Sequence, residues 1–313
     1  MSIVLVVDAA CDLPKSFLEE RGIELFPISI QVDGNIYIDD KEPQTLQEFY
    51  QKDLLTLDHE AESIPFSTEQ MTHLMLENIV PNYDFALVQT VSKKRSQIHA
   101  NCTEAQPLIL SAYRAKKEKG ELNNHFGMRI MNSSTLFTGQ AMLAAFTSDL
   151  IAAGKSKQEI VRLAEAFRSK IFAYVIPPDV AYIRERARKR GENSLGMLGA
   201  LVAKSLDIKP IIRAKDDETA PVAKVRGFDN AVDRLFNYGI SRIEAGLLSP
   251  YVIVSIAGDV AELDKYETFT ALKSIAKARK ISVIACTMGL TSGLNVGPGA
   301  ISLGLASTDH EFA

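Results

Sequence analysis

The chain of 313 residues has no tryptophan, only 3 cysteines and only 5 histidines. Cys11, Cys102 and Cys286 lie far apart and form no CxxC pair, which argues against a zinc knuckle. An odd, sparse cysteine count fits a reducing cytoplasm. His59, His73, His99, His125 and His310 lack the HxxxH spacing of a helix-borne metal pair, and each reads as a surface or packing residue. Neither GxGxxG nor GxxxxGK[ST] occurs. Glycines recur at Gly289, Gly293, Gly297 and Gly299, but that stretch reads as a turn into a strand, without the helix N-terminus that makes such loops bind anions. No apolar run approaches the roughly 20 residues of a membrane span. The N-terminal segment has an apolar stretch of about five residues before Asp8, short of what a signal peptide needs. An excess of basic charge is also missing. Lys plus Arg number 35 against 39 Asp plus Glu, for a net charge of −4, which argues against a nucleic-acid binder. The densest basic run, Arg184 to Arg190, reads as a solvated helix face, the alternative being a docking patch for an acidic partner.

What is present describes a globular protein. The hydrophobic fraction is 46 % and the charged fraction 24 %, and the length fits two domains. Ile3 to Val7 and Phe85 to Val88 are continuous apolar runs that end in polar loops, as central parallel strands do. Asp33-Gly34 separates two strand-like runs and predicts a hairpin over Ile28 to Ile38. Ser67-Thr68-Glu69-Gln70 predicts a capped helix start, and Gly139 to Ala153 a long helix. This β-loop-α alternation predicts an α/β domain over residues 1–168 with a parallel sheet. Its ligand then lies where the loops at 8–12, 62–68, 90–97 and 132–139 converge. Residues 169–313 pair hairpin-like strands with helices and predict an α+β domain. Within it, helices are expected over Pro178 to Lys189, Ser194 to Ser205, Phe228 to Leu248 and Val260 to Ala278.

The chemistry available at the strand ends is that of small hydroxyls, among them Ser63, Ser67, Thr90, Ser92, Ser96 and Ser133. Such groups hold a neutral or singly charged head group; individually, each also suits a helix cap. Asp39-Asp40 and Asp216-Asp217 read as turn residues rather than metal ligands.

The order VVDAACDLP (6–14), PISIQVDGNIYIDD (27–40), ESIPFSTEQ (62–70), QTVSKKRSQIHAN (89–101), IMNSSTLFTGQA (130–141), LDIKPII (206–212), VAKVRG (222–227) and GPGAISLGL (297–305) resembles the DegV family over nearly the whole chain. The resemblance implies a cytoplasmic, two-domain protein. It implies one long-chain fatty acid in an apolar tunnel, its carboxylate at the domain junction, and a separate fatty-acid kinase as partner. It implies neither catalytic residues nor a metal, and no cofactor beyond the fatty acid. Ser63 and Ser92 match family hydroxyl positions, Asn295 stands where the family has His, and Arg226 matches a basic position suited to partner docking. Glu62 and Arg95 are departures that enter the head-group loops, and an ion pair between them would neutralise the site. Two rivals stay open. A serine-dependent acyl hydrolase or transferase would need a base, with His59 and His99 nearest in sequence. A partner subunit that binds nothing would have a tunnel too narrow for an acyl chain.

Overall fold

A computed structural model describes residues 2–189 and 207–312; the helix expected over Ser194 to Ser205 lies outside them. Strands β1 (Ile3–Asp8), β2 (Ile23–Phe26), β6 (Phe85–Thr90) and β7 (Gly127–Asn132) form a parallel sheet in the order β2-β1-β6-β7. All six residues of β6 are buried, and five of six in β1. A strand covered on both faces has no polar side to show, which is why both read as unbroken apolar runs. Helices α1 (Lys15–Glu20) and α4 (Ile98–Glu118) connect consecutive strands.

A three-stranded antiparallel sheet, β4-β3-β5, is inserted after β2, with β3 (Ile28–Val32), β4 (Asn35–Asp39) and β5 (Ala61–Ile64). Its hairpin turns at Asp33 and Gly34 with φ of 47° and 82°, the left-handed pair that a two-residue hairpin turn requires. Helix α2 (Pro43–Gln51) packs Leu46 and Phe49 against Ile30 and Val32. Helix α3 (Thr68–Leu74) starts in the expected capping box of Ser67 and Gln70.

The second sheet runs β10-β9-β8-β13-β11-β12, from β8 (Ile171–Ile176), β9 (Ile208–Lys215), β10 (Glu218–Arg226), β11 (Tyr251–Ile256), β12 (Ser282–Thr287) and β13 (Ile301–Ala306). Only β11 and β12 pair in parallel, so the sheet is mixed. Helices α8 (Phe228–Ala245) and α9 (Glu267–Ala278) share one apolar core with it. Helix α5 (Thr138–Ala152) lies between the two large sheets. Its Ala141 to Ala145 join Leu5, Val7 and Leu87 of the first sheet to Ile171, Ile253 and Ala306 of the second. A helix that is apolar all round needs burial on every side, and this position provides it.

Three expectations change. The helix expected over Val260 to Ala278 is a 3₁₀ turn, Val260–Lys265, followed by α9; extended Tyr266 (φ −91°, ψ 114°) separates them. The stretch after Gly289 does contain a helix, α10 (Leu290–Val296), between Gly289 and a Gly297 with φ of 90°. The basic run is not wholly solvated. On α7 (Val180–Lys189) Arg186 is buried, donating from Nε to the Leu294 carbonyl (3.1 Å) and from Nη1 to that of Ala61 (2.6 Å), while Arg184, Arg188 and Lys189 stay exposed. Helix α6 (Lys157–Arg168) follows α5.

Candidate functional site

Asp8 ends β1 and ties it to the next loop. Its Oδ2 accepts from the Val91 amide (2.7 Å) and its Oδ1 from that of Ala10 (3.0 Å). Burial pushes the Asp8 pKa up to about 6, outweighing those donors. Through such ties the loops after β1, β5, β6 and β7 converge as expected, around a cavity of about 130 Å³. Its apolar walls include Ile28 of β3, Val175 and Ile212 of β8 and β9, Ile183 of α7, and Leu136 and Phe137 of the loop after β7. Phe137 sits at φ 51°, ψ −119°, a conformation that strains any side-chain-bearing residue.

The cavity also has a polar lining. Ser63 (β5), Arg95 and Ser96 (the loop after β6), Thr219 (β10), and Thr291 and Asn295 (α10) line it. Arg95 donates from Nη2 to Thr219 Oγ1, linking the first half of the chain to the second. Asn295 donates to the Thr291 carbonyl (2.7 Å). Three of the expected head-group residues, Ser63, Arg95 and Asn295, are therefore brought together.

The others stand elsewhere. Glu62 is exposed and borders an adjoining groove with Lys93 and Lys94. Strand alternation turns it away from the face on which Ser63 lies. Among the described residues no ion pair joins Glu62 to Arg95, contrary to the expectation. Ser92 does not line the cavity. Its buried hydroxyl donates to Asp217 Oδ1 (2.6 Å), at the turn between β9 and β10, and Asn132 Nδ2 donates to the same carboxylate (2.9 and 3.1 Å). Arg226 is exposed at the end of β10. Thr219 and Thr291 were missed because one belongs to a hairpin strand and the other to a stretch read as a turn. The signal for Thr291 was its spacing of four from Asn295, between two glycines, which places both on one helix face.

Behind α10 lies a buried charge cluster. Lys41 Nζ is 3.6 Å from Asp12 Oδ1 and 3.8 Å from Asp39 Oδ1, and all three side chains are at most 2 % exposed. Asp12 also accepts from Ser255 Oγ (2.8 Å) and Ser292 Oγ (2.8 Å), and Asp39 Oδ2 accepts from the Thr291 amide (2.8 Å). Burial alone would lower the Lys41 pKa; Asp39 and Asp12 outweigh it and hold the ammonium above its ordinary value. The cluster fastens α10 to both the small sheet and β1. It also explains Gly289, where a Cβ would fall 1.8 Å from Lys41 Nζ.

Neither candidate base meets a candidate serine. His59 Nδ1 pairs with Asp33 Oδ2 (2.5 Å) and His99 Nδ1 with Thr90 Oγ1 (3.0 Å). No helix among the described residues is long and apolar enough to cross a membrane.

Fold and cavity together define an α/β protein with a small pocket of mixed polar and apolar lining where the strand-end loops converge. The family model for the uncharacterised DegV proteins matches residues 2–308, and the chain belongs to the DegV family. It is 35 % identical over 313 residues, the full length of both chains, to a DegV domain-containing protein of Xanthomonas axonopodis. It is similar in fold to a stearic acid-binding protein from Eubacterium ventriosum, with a TM-score of 0.76, 18 % identity and 96 % and 97 % of the two chains covered. It is likewise similar to the fatty acid kinase B3 protein of Streptococcus pneumoniae, solved with linoleic acid, at a TM-score of 0.72, 14 % identity and coverage of 98 % and 99 %.

Proposed function

We propose that the protein binds one long-chain fatty acid, its carboxylate toward Ser63, Arg95 and Asn295 and its chain along the Ile28, Leu136 and Val175 wall. The observation that carries this reading is a cavity lined by both apolar and hydrogen-bonding side chains, at the convergence of the strand-end loops. Burial of the chain supplies roughly 0.8 kcal/mol per methylene, and the polar lining fixes orientation. Residues 1–168 and 169–313 are taken as two domains that meet here. The protein performs no chemistry itself, in keeping with histidines that bond elsewhere than Ser63 and Ser92. Free, buried Cys11, Cys102 and Cys286 fit work in the reducing cytoplasm. The likeness to a fatty acid kinase component supports a kinase partner that docks near exposed Arg226.

One observation favours a second reading, that of a partner subunit without a ligand. The open volume of about 130 Å³ is close to the ~150 Å³ that takes up a benzene ring. A long chain therefore needs the apolar walls to part. One experiment separates the two readings: mass spectrometry of an organic extract of the purified protein. A fatty acid at near-stoichiometric amount is expected. Protein that is lipid-free and also refuses added stearic acid overturns the binding reading.

A further inference from the structure

Thr291 combines three properties found together at no other described hydroxyl of the cavity wall. Its side chain is 7 % exposed. Its Oγ1 is buried without a hydrogen-bond partner. It also lines the cavity, one helical turn from Asn295. A buried hydroxyl left unpaired costs free energy, and proteins satisfy the great majority of such groups. Its backbone cannot drift to find a partner, because the Thr291 amide donates to buried Asp39, itself held against Lys41. The orphan hydroxyl is thus fixed at the cavity wall by a rigid charge cluster behind it. A hydroxyl both donates and accepts, so a carboxylate oxygen completes it and is completed by it.

We infer that Thr291 is a head-group contact, donating its hydroxyl proton to the ligand carboxylate beside Ser63, Arg95 and Asn295. This rests on the fatty-acid reading and adds a residue to it. Asp39 is a positioning residue, aiming Thr291 through the backbone.

The test compares the full-length protein with Thr291→Val and Thr291→Ser, using stearic acid as ligand and thermal unfolding of delipidated protein as a second readout. Valine keeps the shape and removes only the hydroxyl. Thr291→Val is expected to bind stearic acid about tenfold more weakly, a loss of about 1.4 kcal/mol. Without ligand it should be as stable as the parent or more so, since an unpaired polar group has been removed from the interior. Thr291→Ser retains the hydroxyl and should bind within about twofold to threefold of the parent. Unchanged affinity in Thr291→Val overturns the inference while leaving the fatty-acid reading intact. Weaker binding accompanied by an equal loss of ligand-free stability also overturns it, by showing the hydroxyl to be structural. A parent protein that binds no stearic acid removes the fatty-acid reading and the inference with it.

Discussion

Asp8 and Ser92 show how differently two strand-end residues can act. Asp8 carries a pKa of about 6 against an ordinary 3.8, because burial disfavours its charge. Between those values the folded protein holds a proton that the unfolded chain has released. The sign follows: Asp8 contributes fully below about pH 4, and that contribution is lost as pH rises through about 6, by about 3 kcal/mol in all. Urea midpoints of the parent should therefore fall from pH 4.5 to 7.5 relative to those of Asp8→Asn, which cannot titrate. Parallel pH profiles for the two would refute the assignment. Ser92 donates to Asp217 and so latches the β6 loop to the β9–β10 turn, whereas Ser63 lines the cavity. Ser92→Ala should lower stability by about 1–3 kcal/mol and leave stearic acid affinity unchanged. Ser63→Ala should do the reverse, losing about 0.5–1.5 kcal/mol of affinity, or up to about 3 to a charged acceptor. Calorimetric titration beside urea unfolding reads both; a drop in affinity for Ser92→Ala would return it to the head-group site.

Among the elements, β13 meets α5 backbone against backbone at Gly304. A Cβ at Gly304 would lie 2.5 Å from the Thr138 carbonyl oxygen, a backbone atom that cannot rotate away. Gly304→Ala should destabilise by about 1–3 kcal/mol or more as sheet and helix are forced apart. Gly127→Ala is the control, since its Cβ would meet only the Phe85 ring at 3.8 Å. Equal urea midpoints for the two variants would show that α5 gives way easily. The same elements explain what could be read from the sequence. β1, β6 and α5 were legible because burial on all sides leaves an unbroken apolar signature, and the Asp33-Gly34 turn because its backbone demands those residues. Helix α10 was not. Its glycines point to a turn, and what makes it a helix is remote: Asp39 on the Thr291 amide and Asp12 on the Ser292 hydroxyl. For the same reason Asp39 read as a turn residue, although it ends β4 fully buried. Ser63, Arg95 and Asn295 could be brought together by motif order, but Thr219 and Thr291 reach the cavity only through tertiary contacts.

At the scale of the molecule, the two large sheets are joined in three ways. The α5 core carries Leu5 and Leu87 on one side and Ile253 and Ala306 on the other. Asp12 binds Ser255 and Ser292, and Ser92 binds Asp217. The cavity is a fourth connection, since Ser63 and Val91 come from the first half of the chain and Ile212 and Asn295 from the second. Elements that share one core and one buried ion cluster lose both together when either sheet opens, so unfolding should be a single cooperative transition. A ligand seated across that junction is linked to the whole transition rather than to part of it. At stearic acid concentrations about 100 times Kd, binding should add about 2.7 kcal/mol and raise Tm by several degrees without splitting the peak. Differential scanning calorimetry of delipidated and reloaded protein measures this directly. Two resolved transitions, only one of them moved by stearic acid, would mean that the sheets unfold separately and that the ligand belongs to one of them alone.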